Sequence, residues 1–110
     1  MEPLKQYREL VQQLLADYAR PYLEASPDTH YLICDVQGDH YQWMEVGWKG
    51  SDRLYRSIIH FDIQGAKIWL QQNLTDQDPA AALVAQGVPP EDIILGLQAP
   101  YKRPYTDYGC

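Results

Sequence analysis

Residues 46–75, VGWKGSDRLYRSIIHFDIQGAKIWLQQNLT, decide the fold class. They read as two successive β-hairpins carrying Trp48, Arg53, His60, Asp62, Lys67 and Trp69 at fixed spacings. Period-two alternation, β-branched residues and glycine-centred breaks are the marks of antiparallel strands joined by tight turns. With a two-residue turn at Gln64-Gly65, Ile63 opposes Ala66, Asp62 opposes Lys67, Phe61 opposes Ile68 and His60 opposes Trp69. One face then holds Ile59, Phe61, Ile63, Ile68 and Leu70, and the other His60, Asp62, Lys67, Trp69 and Gln71. Such segregation is what a register with one buried face requires. A two-residue turn at Gly50-Ser51 sets Glu45 against Arg56 and Tyr41 against His60, and sends Met44, Val46 and Trp48 to the Phe61 face. The polar face is left with Trp43, Ile58 and Trp69, which calls for cover by the C-terminal segment or by a partner.

The strand pattern extends upstream. Residues 30–36 and 41–48 are read as the first two strands, 53–63 as the third and 66–72 as the fourth, with turns at 37–39, 49–52 and 64–65. Glycine in each turn supplies the positive φ that tight hairpins need. A four-stranded antiparallel meander is the simplest topology.

Residues 3–19 precede the strands as an amphipathic helix. Leu4, Tyr7, Val11, Leu14 and Tyr18 recur at spacings of three and four, and Leu10 and Leu15 widen the stripe. Pro3 suits a first helical position, Glu2 adds negative charge at the N-terminus, and Pro21 is expected to end the helix. Its stripe belongs against the Phe61 face. Residues 24–29 form a loop. After the strands, Asp78 is read as an N-cap, Pro79 as the first helical residue, 80–86 as the body and Gly87 as the left-handed cap. Pro89-Pro90 stops that helix, residues 90–92 start one more turn, and the tail from Ala99 to Cys110 is expected to lie extended across the body. The fold class is α+β, one domain over residues 1–110.

Nine tyrosines and three tryptophans stand against a single phenylalanine, a bias toward rings with a polar tip that suits half-buried surfaces and interfaces. A net charge of −6 argues against broad non-specific nucleic-acid binding, though Lys49, Arg53, Arg56 and Lys67 would form a local basic patch if the hairpins gathered them. Cys34 and Cys110 make no disulfide framework or metal spacing, so a reduced, cytoplasmic setting is expected. No signal peptide pattern and no membrane-spanning apolar run are read.

His60 and Asp62 sit two apart on one strand and point the same way, which suits a carboxylate orienting an imidazole for proton transfer. The plainer reading pairs Asp62 with Lys67 and stacks His60 on Trp69 or Tyr41. A metal centre would need His30, His40 and His60 to converge with carboxylates, and their spacing matches no recognised ligand pattern. No cofactor, metal or catalytic residue is therefore expected. The basic and aromatic residues of the hairpin tip, Trp48, Lys49, Arg53, Tyr55 and Arg56, fit a solvated tip with Arg53 packed on Trp48, or a protein–protein contact.

The run YLICDVQGDHYQWMEVGWKGSDRLYRSIIHFDIQGAKIWLQQNLTD (31–76) with LVAQGVPPEDIILGLQAPYKRPYT (83–106) resembles the XisI family, named for the cyanobacterial excision controlling factor of the fdxN element. The most specific parts are the VGW-K-G turn with Arg53 and Tyr55, the IHFDI and KIWLQ strands, Asn73 with Thr75, and GVPPEDIILG. The resemblance implies a factor that acts with a companion, XisH, where both are needed for the XisF recombinase to excise a DNA element during heterocyst differentiation. It carries over no list of functional residues.

The leading expectation is thus a non-enzymatic accessory protein that binds a XisH-type partner. Its contact surface is drawn from Trp48, Arg53, Tyr55, Arg56, His60, Asp62, Lys67 and Trp69, with homodimerisation through the aromatic face. The alternatives are direct DNA binding through Lys49, Arg53, Arg56 and Lys67, and a small enzyme centred on His60 and Asp62.

Overall fold

The computed structural model describes residues 3–110. Its elements run α1 (Pro3–Ala25), β1 (His30–Asp35), β2 (His40–Lys49), β3 (Asp52–Gln64), β4 (Lys67–Asn73), α2 (Pro79–Ala85) and β5 (Ile93–Leu95), with 3-10 turns at Pro90–Asp92 and Pro100–Tyr105. The five strands form one sheet in sequence order, β1 to β4 antiparallel and β5 parallel to β4. The meander and its fold class agree with the sequence reading, but a fifth strand is added. Residues 93–95 are too short to announce a strand by alternation. They reach β4 in parallel only because the α2 connection carries the chain back across the sheet.

α1 buries Tyr7, Val11, Leu15 and Ala19, one residue per turn, against Ile59, Phe61, Ile63, Ile68 and Leu70. Burying each large apolar side chain of this kind is worth about 1.5–3 kcal/mol. Pro21 does not end the helix, which continues to Ala25. A proline inside a helix costs about 3 kcal/mol. The turn beyond it offsets that cost by packing Leu23 on the core and setting the Tyr22 ring 5.1 Å from His30 and 5.3 Å from Trp43. Glu2 lies outside the described residues.

Two β-bulges correct the expected register. The turn at Gly50-Ser51 and the Glu45–Arg56 pairing are as expected, but Ile58 is an extra residue in β3 between the pairs Trp43–Ile59 and Met44–Ser57. From there on Tyr41 faces Phe61, not His60, and Tyr41 and Trp43 enter the core. Met44, Val46 and Trp48 fall on the opposite face, contrary to expectation. Trp43 and Ile58 are buried on the helix side and not left on the polar face. In the second hairpin the turn is Gly65-Ala66, with φ of 58° and 63°, so Ile63 pairs with Ile68 and Phe61 with Leu70. The expected register differs by two residues in the pairing sum. It therefore segregates the faces equally well, which is why polarity alone does not distinguish them. Two positive φ values match the twist of the flanking strands, as in a type I′ turn. Gln71 is then the extra residue on β4, between Leu70 and Gln72.

In the first turn the positive φ belongs to Asp39 (62°), not to Gly38. Its carboxylate accepts bonds from Arg8 Nε (2.8 Å), Arg8 Nη2 (3.1 Å) and the Tyr41 hydroxyl (2.9 Å), which ties the β1–β2 turn to α1. Asp78 caps α2 by accepting from the Ala81 amide at 3.1 Å, and Gly87 takes φ of 101°, both as read from the sequence. The tail forms a 3-10 helix where an extended segment was expected, then returns so that Gly109 bridges Ile94.

Candidate functional site

The Ile58 bulge builds the most concentrated group of titratable side chains. Without it, His40 would lie opposite Phe61; with it, His40 and Asp62 are direct cross-strand partners. His60 stands two residues before Asp62 on the same strand and shares its face. His40 Nδ1 and His60 Nε2 each lie 2.7 Å from Asp62 Oδ1, and Gln71 Nε2 donates to Oδ2 at 3.1 Å. To donate, His40 carries its proton on Nδ1 and His60 on Nε2. Bulges re-aim side chains, and Gln71 owes its reach to being the unpaired residue of β4. Gly96 completes the arrangement. A Cβ there would collide with the Gln71 amide oxygen, so the turn after β5 must be bare to seat it.

Asp62 is buried, His60 half-buried and His40 exposed. Burial pushes the Asp62 carboxyl up, but the hydrogen bonds from His40, His60 and Gln71 together outweigh it and hold the group below the usual carboxylate range. The bond to Asp62, then its charge and those of Asp35 and Asp39, raise His40. The expected pairing of Asp62 with Lys67 and stacking of His60 on Trp69 or Tyr41 are not formed. Lys67 donates to the Glu91 carbonyl at 3.1 Å, and Asp62 turns to the two imidazoles. Among the described residues, neither ring bonds a serine, threonine or cysteine, so the couple lacks an adjacent nucleophile.

His30, which a three-histidine metal centre would need beside His40 and His60, lies elsewhere. It is buried in the helix-side layer, where Trp43 Nε1 donates to its Nδ1 at 3.0 Å and its Nε2 faces Glu45 Oε2 at 3.3 Å. Glu45 Oε1 accepts from Arg56 Nε at 2.6 Å. This chain of partners borders a cavity of about 430 Å³ between the end of α1 and the Leu74–Asp76 loop. Among the described residues no buried side-chain nitrogen or oxygen is left without a partner, and the linked contacts make this group a structural clamp at the mouth of the cavity.

The proposed contact residues divide. Trp48, Arg53 and Tyr55 share the face away from α1, with Trp48 and Arg53 directly paired and the guanidinium 5.4 Å from the indole centroid. Trp48 is 65% exposed and Tyr55 70%. Tyr31 and Ile33 of β1, which the sequence reading passed over, extend this face and are also exposed. Arg56 points to the other side, held by Glu45. His60, Asp62, Lys67 and Trp69 lie toward the far end of the hairpins. Trp69 is half-covered by the tail: Arg103 sits 5.3 Å above its ring and is anchored by the carbonyls of Leu95 and Gln98. Lys49 of β2 and Lys67 of β4 pair with opposite ends of β3, at Asp52 and Gln64. The span from Asp52 to Gln64 at about 3.3 Å per residue is roughly 40 Å, so the four cations do not form one patch. Cys34 and Cys110 are free and exposed. No helix among the described residues is long and apolar enough to cross a membrane.

The family model for XisI protein matches residues 1–110. The chain belongs to the XisI family. Among solved structures, a XisI-like protein from Anabaena variabilis ATCC 29413 is 59% identical, with a TM-score of 0.89 over 96% of this chain and 97% of that one. The fdxN element excision controlling factor XisI from the same organism is 34% identical, with a TM-score of 0.85 over 98% of each chain. Comparison with curated proteins gives no match. This XisI-family chain is thus a bulged meander packed on one long helix, with a parallel fifth strand and a docked tail.

Proposed function

We propose that this XisI-family chain is a non-enzymatic accessory factor that binds a XisH-type protein and thereby controls site-specific excision of a DNA element during heterocyst differentiation. The observation that carries the reading is the open face around Trp48, Arg53 and Tyr55. Two large aromatic rings are 65% and 70% exposed beside a guanidinium, near the tip of the β2–β3 hairpin. Aromatic residues with arginine are the side chains that dominate binding energy at protein interfaces. The family supports a regulatory role, since one relative is described as an excision controlling factor. The partner follows from the resemblance to that factor and its companion. The chain acts in the cytoplasm, and a homodimer formed through the same face would mask it until the partner competes.

Direct DNA binding is less favoured, because Arg56 is paired with Glu45 and Lys67 with the Glu91 carbonyl, far from Lys49. The test is co-expression with the XisH-type protein encoded nearest to this gene. A stoichiometric complex that Trp48→Ala and Tyr55→Ala weaken, at unchanged circular dichroism, supports the reading. Separate elution of the wild-type proteins refutes it.

A further inference from the structure

We propose that His40 Nδ1, His60 Nε2 and Asp62 Oδ1 form a binding site for one divalent first-row transition metal ion of the zinc class. The inference does not rest on the exposed face around Trp48, Arg53 and Tyr55. The three ligand atoms come from neighbouring strands and lie within 4.8 Å of one another. Two imidazoles and one carboxylate are a donor set suited to zinc, cobalt or iron and unsuited to calcium or magnesium, which take oxygen ligands.

The geometry is near what coordination needs. With metal–nitrogen and metal–oxygen bonds of about 2.0–2.1 Å, adjacent ligand atoms stand about 2.9 Å apart at a right angle and about 3.3 Å apart in a tetrahedron. Both nitrogens now stand 2.7 Å from Asp62 Oδ1, so each must withdraw by a few tenths of an ångström. The His40 ring, with 52% of its surface exposed at the start of β2, is free to do so. Each ring moves its proton to its outer nitrogen, His40 to Nε2 and His60 to Nδ1, and turns the inner lone pair to the metal. No proton is lost from a neutral pair.

The surroundings resemble those that tune metal ligands. Gln71 Nε2 holds Oδ2, leaving Oδ1 directed between the rings, and Gly96 leaves the space that this amide occupies. Asp35 is the cross-strand partner of His40, and its carboxylate favours a cation there, while the charge of neighbouring Asp39 is matched by Arg8. Solvent on the His40 side would complete the coordination, as at three-ligand sites that keep an open position.

The test uses the untagged full chain, stripped with a chelator and titrated with cobalt(II) chloride, then with zinc chloride in competition. The expected result is a visible ligand-field band that saturates at one equivalent and is displaced by zinc. His40→Ala, at an exposed ring and checked for fold by circular dichroism, should abolish saturation. Gln71→Leu should weaken binding roughly 10–100-fold, the usual effect of losing an outer partner of a ligand. Absence of saturable uptake by the wild-type chain overturns the proposal. So does undiminished uptake by His40→Ala, which would move binding to Cys34, Cys110 or His30.

Discussion

Replacing Asp62 by alanine in chelator-containing buffer removes the acceptor on which three side chains converge. Of the three donors, exposed His40 exchanges its bond for one to water and is left out of the sum. His60 and Gln71 are half-buried and cannot be fully rehydrated in place. A hydrogen bond to a charged group contributes about 1.5 kcal/mol at the low end, so losing two costs about 3 kcal/mol. Relief of the buried charge subtracts from this, while the unmatched donors add to it. Unfolding entropy of about 2.1 cal/mol/K per residue gives roughly 0.23 kcal/mol/K for 110 residues, so the midpoint should fall by about 13 °C. Thermal and urea unfolding, followed by circular dichroism, measure this directly. Asp62→Asn should cost less, since its amide oxygen still accepts from the imidazoles. A midpoint drop below about 4 °C for Asp62→Ala, equivalent to under about 1 kcal/mol, would show that the network is solvated and not a fastening between β2, β3 and β4.

Tyr7 donates to Asp92 Oδ2 at 2.5 Å, and burial first, then that bond and the nearby acidic charges, push its phenol up from 10.0 to about 12. The folded chain therefore keeps a proton that the unfolded chain has lost. Stability should be full below pH 10 and decline through pH 12 by about 3 kcal/mol, and a Tyr7→Phe variant with the same alkaline decline would refute the assignment. Gly109→Ala should undock the tail, because its Cβ would strike the Glu91 carbonyl oxygen and the Ile94 Cδ1. Overpacking of this kind costs about 1–3 kcal/mol, with faster amide exchange from Ile93 onward as the signature; an unchanged exchange map would count against the docked tail. Trp48→Ala and Tyr55→Ala should change stability by no more than about 0.5 kcal/mol each, as expected of exposed positions. A larger loss would mean that these rings support the fold and do not await a partner.

Much of the architecture is written locally. The helix stripe, the turn at Gly50-Ser51, the Asp78 cap and the Gly87 stop are each specified by residues within a few positions of one another, and each is found in place, whereas the third turn moves one residue on to Gly65-Ala66 and the first takes its positive φ at Asp39. The candidate site was legible only in part. His60 and Asp62 share a face by strand periodicity, which any reader of the sequence can count. Their third and fourth partners cannot be found that way. His40 reaches Asp62 through the single extra residue at Ile58, and Gln71 through the bulge on β4, and no periodicity marks which residue will be left unpaired. Tyr31 and Ile33 join the open face through Met44 and Gln42, which the Ile58 bulge turns away from the Phe61 side. The Arg8–Asp39 ion pair joins a helix to a turn 31 positions away, with no local signal at all.

The sequence by itself determined α1, the four strands of the meander, α2, their order, the apolar face of β3 and β4 and the family, because these depend on short-range periodicity and on motifs quoted residue by residue. The tertiary structure alone decided that α1 runs through Pro21, that residues 93–95 become a fifth strand, and that Arg103 roofs Trp69. In each case a long-range contact outweighs or completes a weak local preference. Packing of Leu23 and Tyr22 offsets a proline, an open β4 edge recruits three apolar residues, and an indole face draws a guanidinium from the tail. Such contacts depend on which residues meet across the fold, and that is settled only when the whole sheet and its bulges are in place.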